Sequence, residues 1–255
     1  MPPNIQPVVL MYHGVIDSPG QVPADRETGA ELYDLPLSKF KEQMEFLQAN
    51  NYSTGPIENT PQVIITFDDG EMNNFQNAWP VLRGAKTPAY FFVTVTRVGQ
   101  KGYMGWQQLL ELRDTDMVIG SHGLNHSLMT ELSTKQIQKE LVESKAVLEK
   151  HLKIQVDYFS VPRGFYNAAV VEAARQAGYK KIFVSNALDP HDDFCVGRVA
   201  VKSDWTVSRF AQALKGEVPV SEKVGRSLKN GMKTVLGAKG YDQLRSFLLK
   251  KKPSH

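Results

Sequence analysis

Seven short runs of apolar, β-branched and aromatic residues punctuate the chain, at 8–12, 63–67, 89–95, 117–121, 158–161, 182–185 and 196–201. Near-continuous apolar runs of this length predict strands buried on both faces. Between them, residues 37–47, 75–82, 106–112, 134–152 and 168–177 carry apolar positions every three or four residues, which predicts helices. Ser133 followed by Gln136 matches a capping box opening the fourth of these helices. Strands alternating with helices imply a mostly parallel sheet with right-handed crossovers, either open or closed into a barrel. In both forms the residues that do chemistry belong at the C-terminal ends of strands. Residues 14–33 are polar and rich in Gly, Pro and Asp, and read as a surface loop able to overhang such a site.

Composition narrows the class without changing this picture. A chain of 255 residues with 42% hydrophobic and 22% charged residues is ordinary for a soluble globular protein, and one large α/β domain is expected. A formal net charge of +3 makes no case for a nucleic-acid binder. Basic charge does concentrate late: from Lys215 onward ten Lys or Arg stand against three acids. In that stretch Val224, Leu228, Met232 and Val235, then Tyr241, Leu244, Phe247 and Leu248, fall at helical spacing. The expected organisation is therefore a catalytic domain over 1–205 and a basic helical extension over 206–255 packed on it. A second reading of those helices is peripheral contact with an anionic membrane. Cys195 is the single cysteine, so no intrachain disulfide forms. Residues 1–7 carry neither the basic segment nor the apolar run of a signal peptide, which makes the cytoplasm the expected compartment.

The chemistry concentrates where strands end. The run 63–67 leads into Asp68-Asp69-Gly70. Two adjacent carboxylates repel, and a cation on one while the other accepts a proton resolves the conflict; an Asp-Asp-Gly turn is the plain alternative. The run 117–121 leads into His122-Gly123-Leu124-Asn125-His126, two imidazoles that share a side if the chain makes one helical turn. Imidazole nitrogen and carboxylate oxygen together suit one divalent ion, zinc first, with a position left open for water as in catalytic sites.

Thr66-Phe67-Asp68-Asp69-Gly70, Ser121-His122-x-x-x-His126 and Pro162 after a strand resemble the motifs of the polysaccharide deacetylase family, carbohydrate esterase family 4, over roughly residues 8–201. The resemblance implies a distorted (β/α) barrel, here of about seven parallel strands with extra C-terminal helices. It implies removal of an N-acetyl group from an N-acetylated sugar. It also implies that Asp69, His122 and His126 ligate the metal and that Asp68 is the general base.

The chain departs from the family pattern in three places. Ser or Thr usually follows the first motif histidine and often Pro the second, whereas this chain has Gly123 and Ser127. The third motif usually reads Arg-x-Pro and then an aromatic; here Ser160-Val161-Pro162 precede Arg163-Gly164-Phe165-Tyr166. Arg163 is accordingly assigned the charge that steadies the base, and Pro162 and Tyr166 the contact with the sugar. The late Leu-x-His that furnishes the general acid has no counterpart after Val201. The first strand instead ends in Tyr12-His13, similar to deacetylases of poly-N-acetylglucosamine whose motif order is circularly permuted, and His13 is assigned the acid role. A barrel permits this because strands that meet at its closure come from opposite ends of the chain. Asp189, in Leu188-Asp189-Pro190-His191, reads as a turn residue. The rival readings are another carbon–nitrogen hydrolase on the same scaffold, such as a sugar deformylase or ureide-ring hydrolase, and an inactive glycan-binding protein.

Overall fold

Arg198 alone separates two short strands, Cys195–Gly197 and Val199–Ala200, and this break closes the architecture. The computed structural model describes residues 6–18, 20–185, 192–217 and 240. In chain order the strands are β1 (Val8–Tyr12), β2 (Val15–Ile16), β3 (Leu35–Pro36), β4 (Val63–Phe67), β5 (Tyr90–Val93), β6 (Val118–Ser121), β7 (Tyr158–Ser160), β8 (Lys181–Val184), β9 (Cys195–Gly197) and β10 (Val199–Ala200). The helices are α1 (Leu37–Ala49), α2 (Trp79–Gly84), α3 (Trp106–Arg113), α4 (Thr134–Leu152), α5 (Ala168–Gln176) and α6 (Val207–Leu214). Eight strands form one parallel sheet in the order β10-β1-β4-β5-β6-β7-β8-β9, and β2 and β3 pair separately. Because β9 pairs with β8 and β10 pairs with β1, one continuous segment joins the two edges into a nearly closed barrel. The expected seventh strand is thus two. At the break, the Arg198 amide donates to the Val184 carbonyl while the Val201 amide donates to that of Met11.

Side chains alternate along each strand between two apolar layers. Leu10, Tyr12, Ile65, Phe67, Phe91 and Phe159 belong to the large core under the helices, while Val9, Ile64, Tyr90, Phe92, Tyr158 and Phe183 form a separate cluster that fills the barrel. Gly120 is required by that filling: a Cβ there would lie 2.5 Å from the Phe92 ring. Gly120→Ala is expected to cost about 1–3 kcal/mol through overpacking. Denaturant unfolding reads this, and unchanged stability contradicts it.

The helices fall close to their predicted spans, and Gln136 Oε1 accepts from the Ser133 amide (2.9 Å) at the start of α4. The helix expected over 75–82 begins instead as a wider-wound turn, Asn74–Ala78, before α2. Wider turns of this kind recur at functional sites. Here Asn74 Nδ2 donates to the His13 carbonyl (2.6 Å) and Asn77 Nδ2 to that of Val15 (2.7 Å), fixing the chain as it leaves β1. Of the predicted extension, α6 packs on α1 through Phe210 and Phe46, whose ring centres are 6.1 Å apart. The basic helices beyond it and Asp189 lie outside the described residues. Among the described residues no helix is long and apolar enough to cross a membrane.

Candidate active site and metal centre

Parallel strands put their C-terminal ends at one mouth of the barrel. His13 follows β1, Asp68 and Asp69 follow β4, His122 follows β6 and Pro162 comes two residues after β7, as the sequence predicts. Asp69 and His126 both have left-handed backbone, with φ of 73° and 58°. Such conformations are uncommon outside glycine and persist where surrounding contacts impose them.

Asp69, His122 and His126 each offer one donor atom, all within 4.8 Å of one another. The Nε2 atoms of His126 and His122 lie 3.2 and 3.7 Å from Asp69 Oδ1. His122 Nδ1 donates to the Ser160 carbonyl (2.8 Å), which leaves the lone pair on Nε2, facing Asp69. Burial holds the His122 imidazole down at about 4 against the pull of Asp68, so it is neutral, the ligating form, at pH 7. One carboxylate oxygen and two oriented imidazole nitrogens fit a divalent ion such as zinc.

The loop between the histidines is held from α4. The buried Glu140 carboxylate accepts from the Leu124 amide (2.8 Å), the Asn125 amide (3.0 Å) and side chain (2.7 Å), and Ser127 Oγ (3.0 Å). Gly123, with φ of 83°, passes so close that a Cβ would meet Glu140 Oε2 at 3.2 Å. The two departures in this motif therefore serve one carboxylate: Gly123 makes room for it and Ser127 bonds it.

Asp68 is held differently. Arg198 Nη1 and Nη2 donate to its two oxygens, each at 2.8 Å, and also reach Thr66 Oγ1 (3.2 Å) and Ser160 Oγ (2.8 Å). Burial works to raise the Asp68 carboxyl, but Arg198, with His122 and His13, overrides it and holds the group well below the usual carboxylate range. This corrects the expectation for Arg163. The guanidinium on Asp68 belongs to Arg198, and Arg163 sits in the turn Pro162–Gly164 with a left-handed φ of 58°. The readable signal was an arginine inside an apolar strand run, since a buried arginine is almost always paired.

Arg97 also escaped the sequence reading. It ends the turn Val95–Arg97 just past β5 and donates from Nη1 to Asp69 Oδ1 (2.9 Å). Burial works to raise Asp69 too, and His126, His122, His13 and Arg97 together bring it down. His13 is near enough to both aspartates to act on them electrostatically; its Nδ1 is buried without a hydrogen-bond partner and its ring centre lies 5.2 Å from that of Tyr33. Pro162 is buried against Gly123, where a Cβ would lie 3.5 Å from its ring. Tyr166 is half-buried and packs on the outer core.

The geometry agrees with what the chain resembles. The family model for polysaccharide deacetylase matches residues 57–182. A peptidoglycan-N-acetylglucosamine deacetylase of Bacillus cereus is 32% identical over 148 residues, covering 57% of this chain and 67% of that protein. The chain belongs to the polysaccharide deacetylase family. YxkH of Bacillus subtilis is 29% identical to this family member over 186 residues, covering 68% of this chain and 62% of YxkH, so the match spans less than two thirds of that relative. A solved polysaccharide deacetylase from Bacillus cereus superposes with a TM-score of 0.71 at 25% identity, covering 81% of this chain and 68% of the other. The distorted-barrel expectation for a polysaccharide deacetylase is thus met, with eight strands in place of about seven.

Proposed function

We propose that this family member is a divalent-metal-dependent hydrolase that removes the acetyl group from the amide nitrogen of an N-acetylated glycan. One observation carries the reading. A buried aspartate kept ionised by Arg198 stands next in sequence to Asp69, whose carboxylate faces His122 and His126. The substrate class rests on the relatives, one of which is named for N-acetylglucosamine in peptidoglycan.

An amide resists hydrolysis because water is a poor nucleophile and an amine a poor leaving group. A divalent ion, zinc first, held by Asp69, His122 and His126 supplies Lewis acidity toward the carbonyl and a more acidic water when bound. Asp68 accepts the proton of the water that attacks the acetyl carbon. Pairing with Arg198 leaves each Asp68 oxygen a further lone pair for that proton. His13 delivers a proton to the sugar nitrogen as the C–N bond breaks, giving acetate and a free amine. Pro162 and Tyr166 border the sugar.

Acetate release from N-acetylglucosamine oligomers and peptidoglycan fragments, with zinc added, tests the reading; N-formyl analogues in the same panel separate a deformylase. Binding of these glycans without release of either acid supports the inactive alternative and contradicts the hydrolase. His13→Ala is expected to cut turnover by about 10²–10⁴-fold with bound metal retained. Wild-type turnover in that variant removes His13 from the mechanism.

A further inference from the structure

We propose that Glu27, on the loop over the barrel mouth, is a positioning residue that sets His126 for its ion. The inference rests on the metal-centre reading above. The two histidines of that centre are oriented by different parts of the protein. His122 is turned by the barrel itself, through the Ser160 carbonyl. His126 finds no such carbonyl: its Nδ1 is buried and donates no hydrogen bond of good geometry. What faces that nitrogen is the Glu27 carboxylate oxygen Oε1, 2.6 Å away. A carboxylate on the outer nitrogen of a histidine ligand favours the tautomer with its lone pair on Nε2 and raises its basicity.

Glu27 is held in place by the two residues before it and by Arg97. Asp25 Oδ1 accepts from Tyr103 Oη (3.0 Å), and Arg26 forks onto Asp34 at 2.5 and 2.7 Å while reaching Glu71 at 3.3 Å. Arg97 Nη2 lies 3.3 Å from Glu27 Oε1, and its Nη1 bonds Asp69, so one guanidinium ties the loop carboxylate to the metal-facing one. Three consecutive loop residues thus pin the loop across the mouth, and the third touches the centre. His126 has left-handed backbone and depends on outside contacts to stay aimed. The loop therefore does more than overhang the site: docking it completes the metal centre, and metal binding in turn favours the docked loop.

Zinc affinity measured by competition with a chromogenic chelator tests this on the full chain, with the melting temperature of metal-free protein recorded alongside. Glu27→Ala is expected to weaken zinc about 10–100-fold, with metal-free melting unchanged. Glu27→Gln, which keeps an acceptor oxygen without the charge, is expected to fall between it and wild type. Zinc is also expected to slow proteolysis of the loop in wild type and not in Glu27→Ala. Wild-type zinc affinity in both variants overturns the inference while leaving the metal centre intact. Failure of the wild-type protein to bind zinc overturns the metal-centre reading first and this inference with it.

Discussion

Arg198→Met is expected to abolish acetate release and to lower stability by about 3–5 kcal/mol, the usual consequence of stripping one partner from a buried ion pair. The arginine side chain is 1% exposed and its fork occupies both oxygens of Asp68. Without it the burial that already works to raise the Asp68 carboxyl meets only the two histidines, so the carboxyl shifts toward its protonated form and ceases to be a base. The loss reaches beyond charge. Arg198 also bonds Ser160, whose carbonyl orients His122, and it marks the segment that joins the two edges of the barrel. Arg198→Lys keeps the charge without the two-pronged geometry and is expected to recover part of the stability and little turnover. The double variant Asp68→Asn/Arg198→Met separates the effects: removing the orphaned carboxylate should restore about 0.5–3 kcal/mol relative to additivity, with turnover still absent. Strictly additive unfolding free energies would mean that the pair contributes nothing as a pair.

The second large effect distinguishes base from ligand. Asp68→Asn preserves shape and leaves the donor atoms of Asp69, His122 and His126 in place, so metal stays bound while turnover falls by about 10²–10⁴-fold or more. His122→Ala deletes an Nε2 donor and the contact to the Ser160 carbonyl together, so both metal and turnover are expected to go. Metal analysis after desalting and acetate release on the same samples read the two outcomes. Metal loss in Asp68→Asn, or full turnover in His122→Ala, would reverse the assignment.

Much of the site was legible because its groups obey one rule: a buried apolar run that stops at polar residues. Val63–Phe67 before Asp68 and Val118–Ser121 before His122 are cases, and strand ends of a parallel sheet all open on the same mouth. Arg97 obeys the rule as well, one turn past β5, and was missed because a solvated arginine after a strand is commonplace. Arg198 breaks the rule from inside a run. It lies in the middle of 196–201, which the sequence predicts as a single strand, whereas the chain there switches partners from β8 to β1 and buries the guanidinium at the seam. Glu27 was hidden for a different reason: residues 14–33 have no periodicity, so nothing in their order says that three neighbours in that loop contact Tyr103, Glu71 and His126. Glu140 likewise reads as one more polar position on an amphipathic helix until the loop at Gly123 is seen wrapped around it. Local pattern specifies elements and their ends; pairings across a hundred residues of chain do not leave a local mark.

The most direct measurement is acetate release from N-acetylated glycan by wild-type protein and Asp68→Asn, with zinc content determined on the same preparations. About one zinc per chain is expected in both, with acetate from the wild type and essentially none from the variant. Equal acetate release from the two proteins, or zinc-loaded wild type that releases none across the glycan panel, would contradict it.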